Sequence, residues 1–394
     1  MFKHLFKLMW NKRKQNFLLL SEILISFMVI FALSSFLVYY FQNYRKPAGV
    51  DHERVWSVVY DNRHLTKNVD SAILFHDNLE KSLKAMPQIK EVAYTSPNFP
   101  YSESNMNTNL NLDNREIYSV NRYVAGTDYH KVLNMKLVEG RWFKPEDRVA
   151  NAKPIVINET LKAEAFGNKS AVGKYFDNHD KTDRLKVVGV VQDVKVNGDY
   201  LPAGKAMYNQ MDTTDVKWNS FILLKVNETA DANFEGKLYK FLGQTFHNAR
   251  VEISYMDDLR DAKNEMTIIP MIIFMIVAGF LIINVALGLF GVLWYNISRR
   301  RSEIGLRRAI GASGASVSSQ LVAESLILAT LSIIVGCFFA IQFPLLNVFD
   351  VAADIYIYAI VLSMLFIYLL VIACSVYPGR QAAAIHPATA LHEE

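Results

Sequence analysis

The sequence predicts a membrane protein with a four-span α-helical transmembrane domain and one large α+β extracytoplasmic domain. Four apolar stretches are each long enough for the roughly 20 residues that a helix needs to cross the hydrocarbon core. They are spread unevenly, because more than two hundred residues of ordinary mixed composition separate the first stretch from the second. The short segments that flank the spans carry clusters of Lys and Arg, which orient a membrane protein.

These stretches divide the chain into consecutive segments. In chain order they are an N-terminal amphipathic segment (1–16), the first span (17–41), the extracytoplasmic domain (42–265), the second span with a stalk (266–297), a basic loop (298–316), the third span (317–345), a short outer loop (346–354), the fourth span (355–377) and a tail (378–394).

The placement of charge predicts the orientation, although the formal net charge is only +4. Basic residues without any acidic residue precede the first span, arginines crowd into 299–308, and 344–354 contains no Lys or Arg. Short loops rich in Lys and Arg stay in the cytoplasm. We therefore predict that both termini and the 298–316 loop are cytoplasmic and that 42–265 faces outward. The first apolar run is also too long for a cleaved signal peptide.

The extracytoplasmic segment has a strand–helix–strand pattern at each end, at 54–95 and at 221–255. We predict that these two βαβ-like halves pack together as one porter module. A β-rich subdomain, at about 122–210, is predicted to be inserted between them, and the polar stretch 98–114 is predicted to be a mobile loop. Cys337 and Cys374 both fall in spans, so this domain should contain no disulfide.

The second apolar run, 268–295, is longer than one span requires, and 256–265 continues its helical pattern upstream. Tilt could absorb some of the excess length. We predict instead a helical stalk that is continuous with the second span. A stiff helix of this kind would transmit motion in both directions.

The basic loop combines arginines with one acidic residue and with glycines. Glu303 precedes Arg307 by four residues, which is the favourable order for an ion pair along a helix. Gly311 and Gly314 are predicted to end this helix. A generic basic loop beside a membrane is the alternative, but it would need neither Glu303 nor glycines that permit close approach. The candidate site residues are Arg301, Glu303, Ile304, Gly305, Arg307, Arg308 and Gly311.

Two acidic residues, Glu22 and Glu324, lie inside apolar stretches near the predicted cytoplasmic boundary. An intramembrane carboxylate can mark an ion path or a contact with a partner. The alternative is an interfacial or snorkelling position, and two carboxylates near one face do not form a relay.

No other pattern predicts chemistry in this chain. Residues 167–175 superficially resemble a phosphate loop, but the glycine spacing is one residue too long and Tyr175 stands where Ser or Thr would bind magnesium. The histidines form no HExxH or similar cluster. We therefore predict no catalytic residue, no metal site and no nucleic-acid partner, although a hydrolase triad among scattered Ser, His and Asp residues stays open.

Four segments resemble the FtsX-like, MacB-type permeases of ABC transporters, and together they extend over nearly the whole chain. They are the loop motif EIGLRRAIGA at 303–312, the Gln-x-x-x-Glu pattern at 320–325, the C-terminal Pro-x-x-x-Ala ending within 378–391, and the region 154–194, which resembles the family's extracytoplasmic domain. One departure is Gly379-Arg380-Gln381, where an Ala-Arg-Arg-like run is usual.

The resemblance implies a permease subunit of the type VII, mechanotransmission kind, which pairs with a second permease chain and sits on ABC ATPase subunits. ATP and Mg would bind to those ATPases, so this chain would hold no cofactor and would not be an enzyme by itself. The loop 298–316 would be the coupling loop. A periplasmic adaptor, an outer-membrane channel and membrane lipid are the other expected partners, and the expected location is the bacterial cytoplasmic (inner) membrane.

The resemblance implies two alternative functions. The first is export or extraction of peptide, drug or lipoprotein-like substrates, driven by motion of the extracytoplasmic domain. The alternative is an FtsX-like regulator that transmits the state of the ATPase to an external cell-wall hydrolase. The large two-part outward domain favours the exporters. A sensor that pairs with a kinase would predict relatives with many more spans than four.

Overall fold

The structure, a computed structural model, describes residues 13–60, 69–113, 115–149, 152–178, 184–212, 215, 220–246 and 250–384. The chain forms two compact units. The β-rich unit is Asn43–Ile268, and the helical unit comprises the chain up to Gln42 and from Ile269 onwards. Most of the predicted amphipathic segment 1–16 and the C-terminal ending at 387–391 lie outside the described residues.

Helices and strands alternate through the β-rich unit, and long helices make up the helical unit. In chain order the elements are α1 (Arg13–Tyr44), β1 (Val55–Tyr60), α2 (Val69–Lys84), β2 (Ile89–Thr95), β3 (Asn107–Leu112), β4 (Arg115–Ala125), α3 (Tyr129–Val132), β5 (Leu137–Gly140), β6 (Lys153–Asn158), α4 (Glu159–Phe166), β7 (Tyr175–Asn178), β8 (Arg184–Val191), β9 (Ala206–Gln210), β10 (Phe221–Val226), α5 (Ala232–Thr245), β11 (Val251–Tyr255), α6 (Met256–Arg299), α7 (Arg301–Ala309), α8 (Gly314–Ala340), α9 (Gln342–Leu345) and α10 (Ala353–Ala383).

The two βαβ-like halves interleave in one antiparallel sheet with the strand order β11-β1-β10-β2. Helix α2 joins β1 to β2, and α5 joins β10 to β11, so each helix connects two strands that are not neighbours. This is a split βαβ arrangement. Successive side chains point to opposite faces. Trp56 and Leu224 therefore pack in the core with α2 and α5, whereas Val55 and Leu223 pack in a second core on the other face.

The strands between β2 and β10 close into a ring. Its neighbour order is β4-β3-β7-β8-β6-β9, and β9 pairs back with β4 from Asn121↔Ala206 to Ala125↔Gln210. Strand β5 adds to this ring beside β8. Leu110, Phe176 and Val187 fill the interior and are at most 1% exposed, so the ring encloses a packed core.

The sequence-based boundary of the inserted β-rich subdomain is late, because the ring starts at Asn107 and not near 122. The predicted mobile loop 98–114 is wrong over Asn107–Leu112, which is strand β3 paired with β4 and β7. The segment NTNLNL alternates in period two, which places Leu110 in the ring core. Its many Asn residues concealed this alternation.

Four helices of the described chain are long and apolar enough to cross a membrane: α1, α6, α8 continued by α9, and α10. Together with the β-rich unit they confirm the predicted fold class. Helix α6 begins at Met256, directly after β11, and runs for 44 residues, so the predicted stalk and the second span are one helix. In the helical unit, Phe27, Ile333 and Ile367 are buried together at a core that α1, α8 and α10 share.

Two helix ends differ from the predictions. Gly314 does not end the helix of the basic loop but begins α8, because Ser313 caps α8 by accepting a 3.1 Å hydrogen bond from the Ser316 amide. Helix α10 continues through Pro378 to Ala383, so the first residues of the predicted tail 378–394 are helical. Pro378 and Gly379 are buried there, and tertiary packing holds the helix past the proline.

Candidate functional site

The basic loop folds as the short helix α7 between two long helices. Glu303 lies in its first turn, and Arg307 and Arg308 lie in its last turn, which matches the helix dipole at both ends. After α7, Gly311 has a φ of +100°, a left-handed conformation that favours glycine. A glycine turn therefore separates α7 from α8.

A closed ring of charged and amide side chains holds α7 against α8. Arg300 donates from Nε to Glu303 at 3.1 Å and from Nη1 to Glu324 at 2.7 Å. Arg307 donates to Glu303 at 2.6 Å and to Gln320 at 2.9 Å. Gln320 completes the ring by donating to Glu324 at 3.1 Å. We call these five residues the arginine–carboxylate ring.

One part of the ring, the Arg300–Glu324 pair, is shielded from water, whereas the Arg307 and Glu303 side chains are 38% and 41% exposed. The Arg300 and Glu324 side chains are each 19% exposed. Exposed ion pairs contribute about 0–1 kcal/mol, whereas hydrogen bonds to charged groups that are shielded from water contribute about 1.5–3 kcal/mol. The Arg300–Glu324 contact is therefore the part of the ring that contributes most to holding the start of α7 against α8.

Beneath this ring, the inner face of α7 is apolar. Ile304 is 4% exposed and packs with Val317 and Ala382, and Gly305 is buried beside it. The C-terminal end of α10 thus supports α7 as well as α8. A Cβ at Gly379 would lie 2.8 Å from Ser318 Oγ, so the glycine that departs from the family pattern stands where these two helices meet closely.

The outer face of α7 carries two exposed apolar side chains. Leu306 is 53% exposed and Ile310, just past the helix, is 77% exposed. Ala309 and Arg301 are exposed beside them. Two large apolar side chains spaced by four residues and bordered by arginine form a small patch that suits contact with another surface.

Glu22 and Glu324 have different surroundings. Glu324 belongs to the arginine–carboxylate ring and is therefore paired with a cation. Glu22 lies against α6, where a Cβ at Gly288 would be 1.8 Å from Glu22 Oε1. Within the described part of the chain, the Glu22 carboxylate has no hydrogen-bond or ion-pair partner. Gly288 provides the space that this carboxylate occupies.

The structure thus divides the predicted site residues into groups. Glu303 and Arg307 belong to the ring, Ile304 and Gly305 pack inward, Arg301 is exposed, and Gly311 forms the turn. Arg308 is half-buried, and its Nε has no hydrogen-bond partner among the described residues.

Sequence reasoning missed Arg300, Gln320, Leu306 and Ile310 as site residues. Two spacings could have indicated them, namely Gln320 and Glu324 four residues apart, and the apolar pair Leu306 and Ile310 within a run of arginines. In the part of the chain that the structure describes, no group of three or more His, Cys, Asp or Glu side chains is arranged to hold a metal ion.

Comparison with known proteins gives two family matches. Residues 17–235 match the MacB-like periplasmic core domain, and residues 275–387 match the FtsX-like permease C-terminal domain. The Macrolide export ATP-binding/permease protein MacB of Bdellovibrio bacteriovorus is 25% identical over 288 residues, which cover 68% of this chain and 43% of that protein. The Uncharacterized ABC transporter permease YknZ of Bacillus subtilis is 23% identical over 280 residues, which cover 68% of this chain and 66% of that permease.

The chain therefore spans less than half the length of the MacB relative. Among solved structures, the periplasmic region of MacB from Actinobacillus actinomycetemcomitans is similar with a TM-score of 0.39 and 18% identity, and the match covers 56% of this chain and 97% of that one. The periplasmic-core match alone extends over more than half of the chain, and the permease match adds the last three spans. The chain belongs to the MacB-like, FtsX-like family of ABC transporter permeases.

Proposed function

We propose that this chain couples ATP hydrolysis by a separate ABC ATPase to motion of its β-rich unit. The exposed patch of Leu306 and Ile310 on α7 is the observation that carries this proposal. The arginine–carboxylate ring fixes the orientation of α7, and the patch points away from the core of this chain. When a partner bound to this exposed apolar surface moves, a rigidly held α7 moves with it, so the displacement passes on to the helices that α7 contacts.

The length of α6 supports the transmission step. Its 44 residues correspond to about 66 Å at 1.5 Å per residue, far more than the hydrocarbon thickness. Since β11 ends at Tyr255 and α6 begins at Met256, no flexible linker separates the helix from the sheet. A displacement of α6 would therefore reach the sheet directly.

In this proposal both termini and α7 face the cytoplasm of a bacterial inner membrane, and the β-rich unit faces outward. ATP and Mg bind to the ATPase and not to this chain, and a second permease chain, identical or related, completes a pair. The moving β-rich unit exports or extracts a peptide, drug or lipoprotein-like substrate, with a periplasmic adaptor and an outer-membrane channel as further partners. The MacB relatives that carry "macrolide export" in their names favour this choice.

An FtsX-like regulator is the second candidate. The same coupling would then deliver the ATPase state to an external cell-wall hydrolase. The FtsX-like match over 275–387 fits either function. A deletion strain separates them, because loss of an exporter changes drug susceptibility or the secreted material, whereas loss of the regulator changes cell shape and division.

The coupling proposal is tested with Leu306→Glu in the full chain, purified through an affinity tag from its native membrane. The measurement is the ATP hydrolysis that copurifies with the chain. A carboxylate placed in an apolar interface loses its hydration, so the copurifying hydrolysis should fall at least about tenfold. The yield of membrane-inserted chain should not change.

Leu74→Glu is the matched control, because Leu74 is 62% exposed on α2 in the β-rich unit. This variant should retain the copurifying hydrolysis of the wild type. Equal hydrolysis in the Leu306→Glu sample, or no ATP hydrolysis with the wild-type chain, would refute the proposed coupling through α7.

A further inference from the structure

One loop of the β-rich unit contacts both chain segments that continue into membrane helices. We define the clamp loop as residues 192–200, which follow β8. On one side it contacts residues 43–49, where α1 ends. On the other side it contacts Arg260 and Asn264 in the first turns of α6.

Lys195 forms the first half of this connection. It is 3% exposed, and its ammonium group donates to three backbone carbonyls, those of Asn43, Lys46 and Asp199. An ammonium group has three donors, so every one of them is used. The carbonyls at the end of a helix lack partners within the helix, and a cation is favoured there. Lys195 thus caps α1 and fixes the residues just beyond it.

Asp199 forms the second half. Arg260 donates to its carboxylate at 3.1 Å and 2.5 Å, and Asn264 donates to it at 3.0 Å. The Asp199 amide in turn donates to Asn264 Oδ1 at 2.8 Å. The Asp199 residue is 6% exposed and Asn264 is 9% exposed, so water competes little for these bonds.

Close packing supports the polar contacts. Gly49 has a φ of +81°, and a Cβ there would lie 1.9 Å from the Asp193 carbonyl oxygen. Gly198 has a φ of +92°, and its Cβ would lie 2.7 Å from Asn264 Oδ1. The rings of Tyr44 and Tyr200 stack with centroids 5.3 Å apart. Only glycine fits at the two positions where the clamp loop meets its neighbours most closely.

The two membrane helices join the β-rich unit in different ways. Helix α6 follows β11 without a linker, so its connection is stiff through the backbone. Helix α1 ends at Tyr44, and ten residues without helix or strand follow before β1 begins at Val55. A segment of this kind can act as a hinge that absorbs movement. Lys195 holds carbonyls on both sides of the start of this segment.

We propose that Lys195 and Asp199 are positioning residues for force transmission: they lock the hinge after α1 and tie it to the first turns of α6. The inference rests on the proposed function, since it names the joint through which the coupling acts. With the clamp intact, the outer ends of the two helices move together. Without it, α1 turns at residues 45–54 and its movement is lost there.

The test compares the full wild-type chain, purified with its copurifying ATPase, with Asp199→Asn and Lys195→Met. Hydrogen–deuterium exchange is measured without nucleotide, and again with ATP and vanadate. Without nucleotide, amides in 43–50 should exchange at least about tenfold faster in Lys195→Met, which loses the charged hydrogen bonds to Asn43 and Lys46. In Asp199→Asn the faster exchange should fall on residues 260–264, which lose their charged partner. With ATP and vanadate, the exchange pattern of the β-rich unit should change in the wild type and not in the variants. The rate of ATP hydrolysis should stay within about twofold.

Asp147→Asn is the matched control. Asp147 accepts two hydrogen bonds from Arg141, at 2.6 Å and 2.7 Å, in the same unit but outside the clamp. This variant should speed exchange near 141–147 only and should keep the response to nucleotide. If the variants acted by destabilising the whole β-rich unit, all three would lose the nucleotide response alike.

The outcomes separate the clamp from the proposed function. A normal nucleotide response in Asp199→Asn and Lys195→Met would overturn the clamp while leaving the coupling function intact. Absence of a nucleotide response in the wild type would overturn the coupling function, and with it the role of the clamp in transmission. Unchanged exchange at 43–50 in Lys195→Met would show that Lys195 does not hold the hinge, and unchanged exchange at 260–264 in Asp199→Asn would show that Asp199 does not hold α6.

Discussion

Arg300 donates a 2.7 Å hydrogen bond from Nη1 to Glu324, and this contact ties the link before α7 to the body of α8. The sequence places these residues 24 positions apart, at the end of one apolar run and inside the next. Glu324, the one carboxylate within its apolar stretch of sequence, is therefore one side of an ion pair. Its surroundings explain why the stretch tolerates it.

We predict that Glu324→Leu destabilises the chain by about 2 kcal/mol, because Arg300 and Gln320 lose a shielded charged partner. Thermal unfolding of the full chain in detergent measures this as a lower Tm. Glu252→Gln is the control, since the pair that Glu252 forms with Arg250 at 3.5 Å is exposed. A Tm shift no larger than that of the control would contradict the structural role of the ring.

His76 should make the stability of the β-rich unit depend on pH. Burial lowers the pKa of His76 from 6.5 to about 4. Its Nε2 pairs with the Tyr60 hydroxyl at 2.9 Å, and its Nδ1 has no partner among the described residues. The folded state therefore holds the neutral imidazole, and the unfolded state gains the proton first as the pH falls. The free energy of unfolding is therefore unaffected by His76 above pH 6.5 and falls progressively as the pH drops from 6.5 to 4.

Between pH 7 and pH 5, protonation of this single group should lower the free energy of unfolding by about 2 kcal/mol. This change is measured by urea unfolding at the two pH values, with hydrogen exchange of β1 and α2 as the probe of unfolding. His76→Gln does not titrate, so this part of the pH dependence should disappear in the variant. An equal loss in wild type and variant would assign the effect to other groups.

Gly336→Ala should destabilise the helical unit by about 1–3 kcal/mol through overpacking. The added Cβ would lie 2.4 Å from the ring of Phe27, which is fully buried and cannot move aside. Gly279→Ala is the matched control in another span, because nothing lies within 4 Å of the Cβ that it adds. The Tm in detergent should fall for the first variant and stay level or rise for the second, because alanine is the better helix former. The reverse order would contradict the packing of α8 against α1.

Gly49→Ala should cost more than Gly173→Ala, although both glycines have a φ near +80°. A left-handed alanine costs about 1–2 kcal/mol at either position. Only Gly49 adds a collision, with the Asp193 carbonyl oxygen, whereas nothing lies within 4 Å at Gly173. The difference between the two unfolding free energies therefore isolates the steric part. Equal losses of unfolding free energy in the two variants would mean that the clamp loop moves aside for the added Cβ at little cost.

In the β-rich unit, hydrophobic periodicity predicted some strands and missed others. Strong apolar segments such as Val55–Tyr60 and Phe221–Val226 indicated strands directly. Asn107–Leu112 was missed because its outward positions are all asparagine, a residue that local statistics assign to loops. The closure of six strands into a ring depends on β9 pairing with β4 across about 85 residues, and no local pattern encodes such a pairing.

The candidate site divides in the same way. The sequence indicated the Glu303–Arg307 pair, because residues four apart on a helix are neighbours by geometry. It could not indicate which face of α7 is buried. That choice depends on Val317 and Ala382, which come from two other helices.

Length and apolar content predicted four helices long enough to cross a membrane, a helical stalk and a large domain between the first two of these helices, because such features are local in the sequence. The contacts of Lys195 with the end of α1, of Asp199 with α6 and of Glu324 with Arg300 follow from the folded arrangement and not from any local pattern. The physical reason is that a hydrogen bond between distant residues requires the fold to bring donor and acceptor within about 3 Å of each other, and spacing along the chain carries no record of that distance.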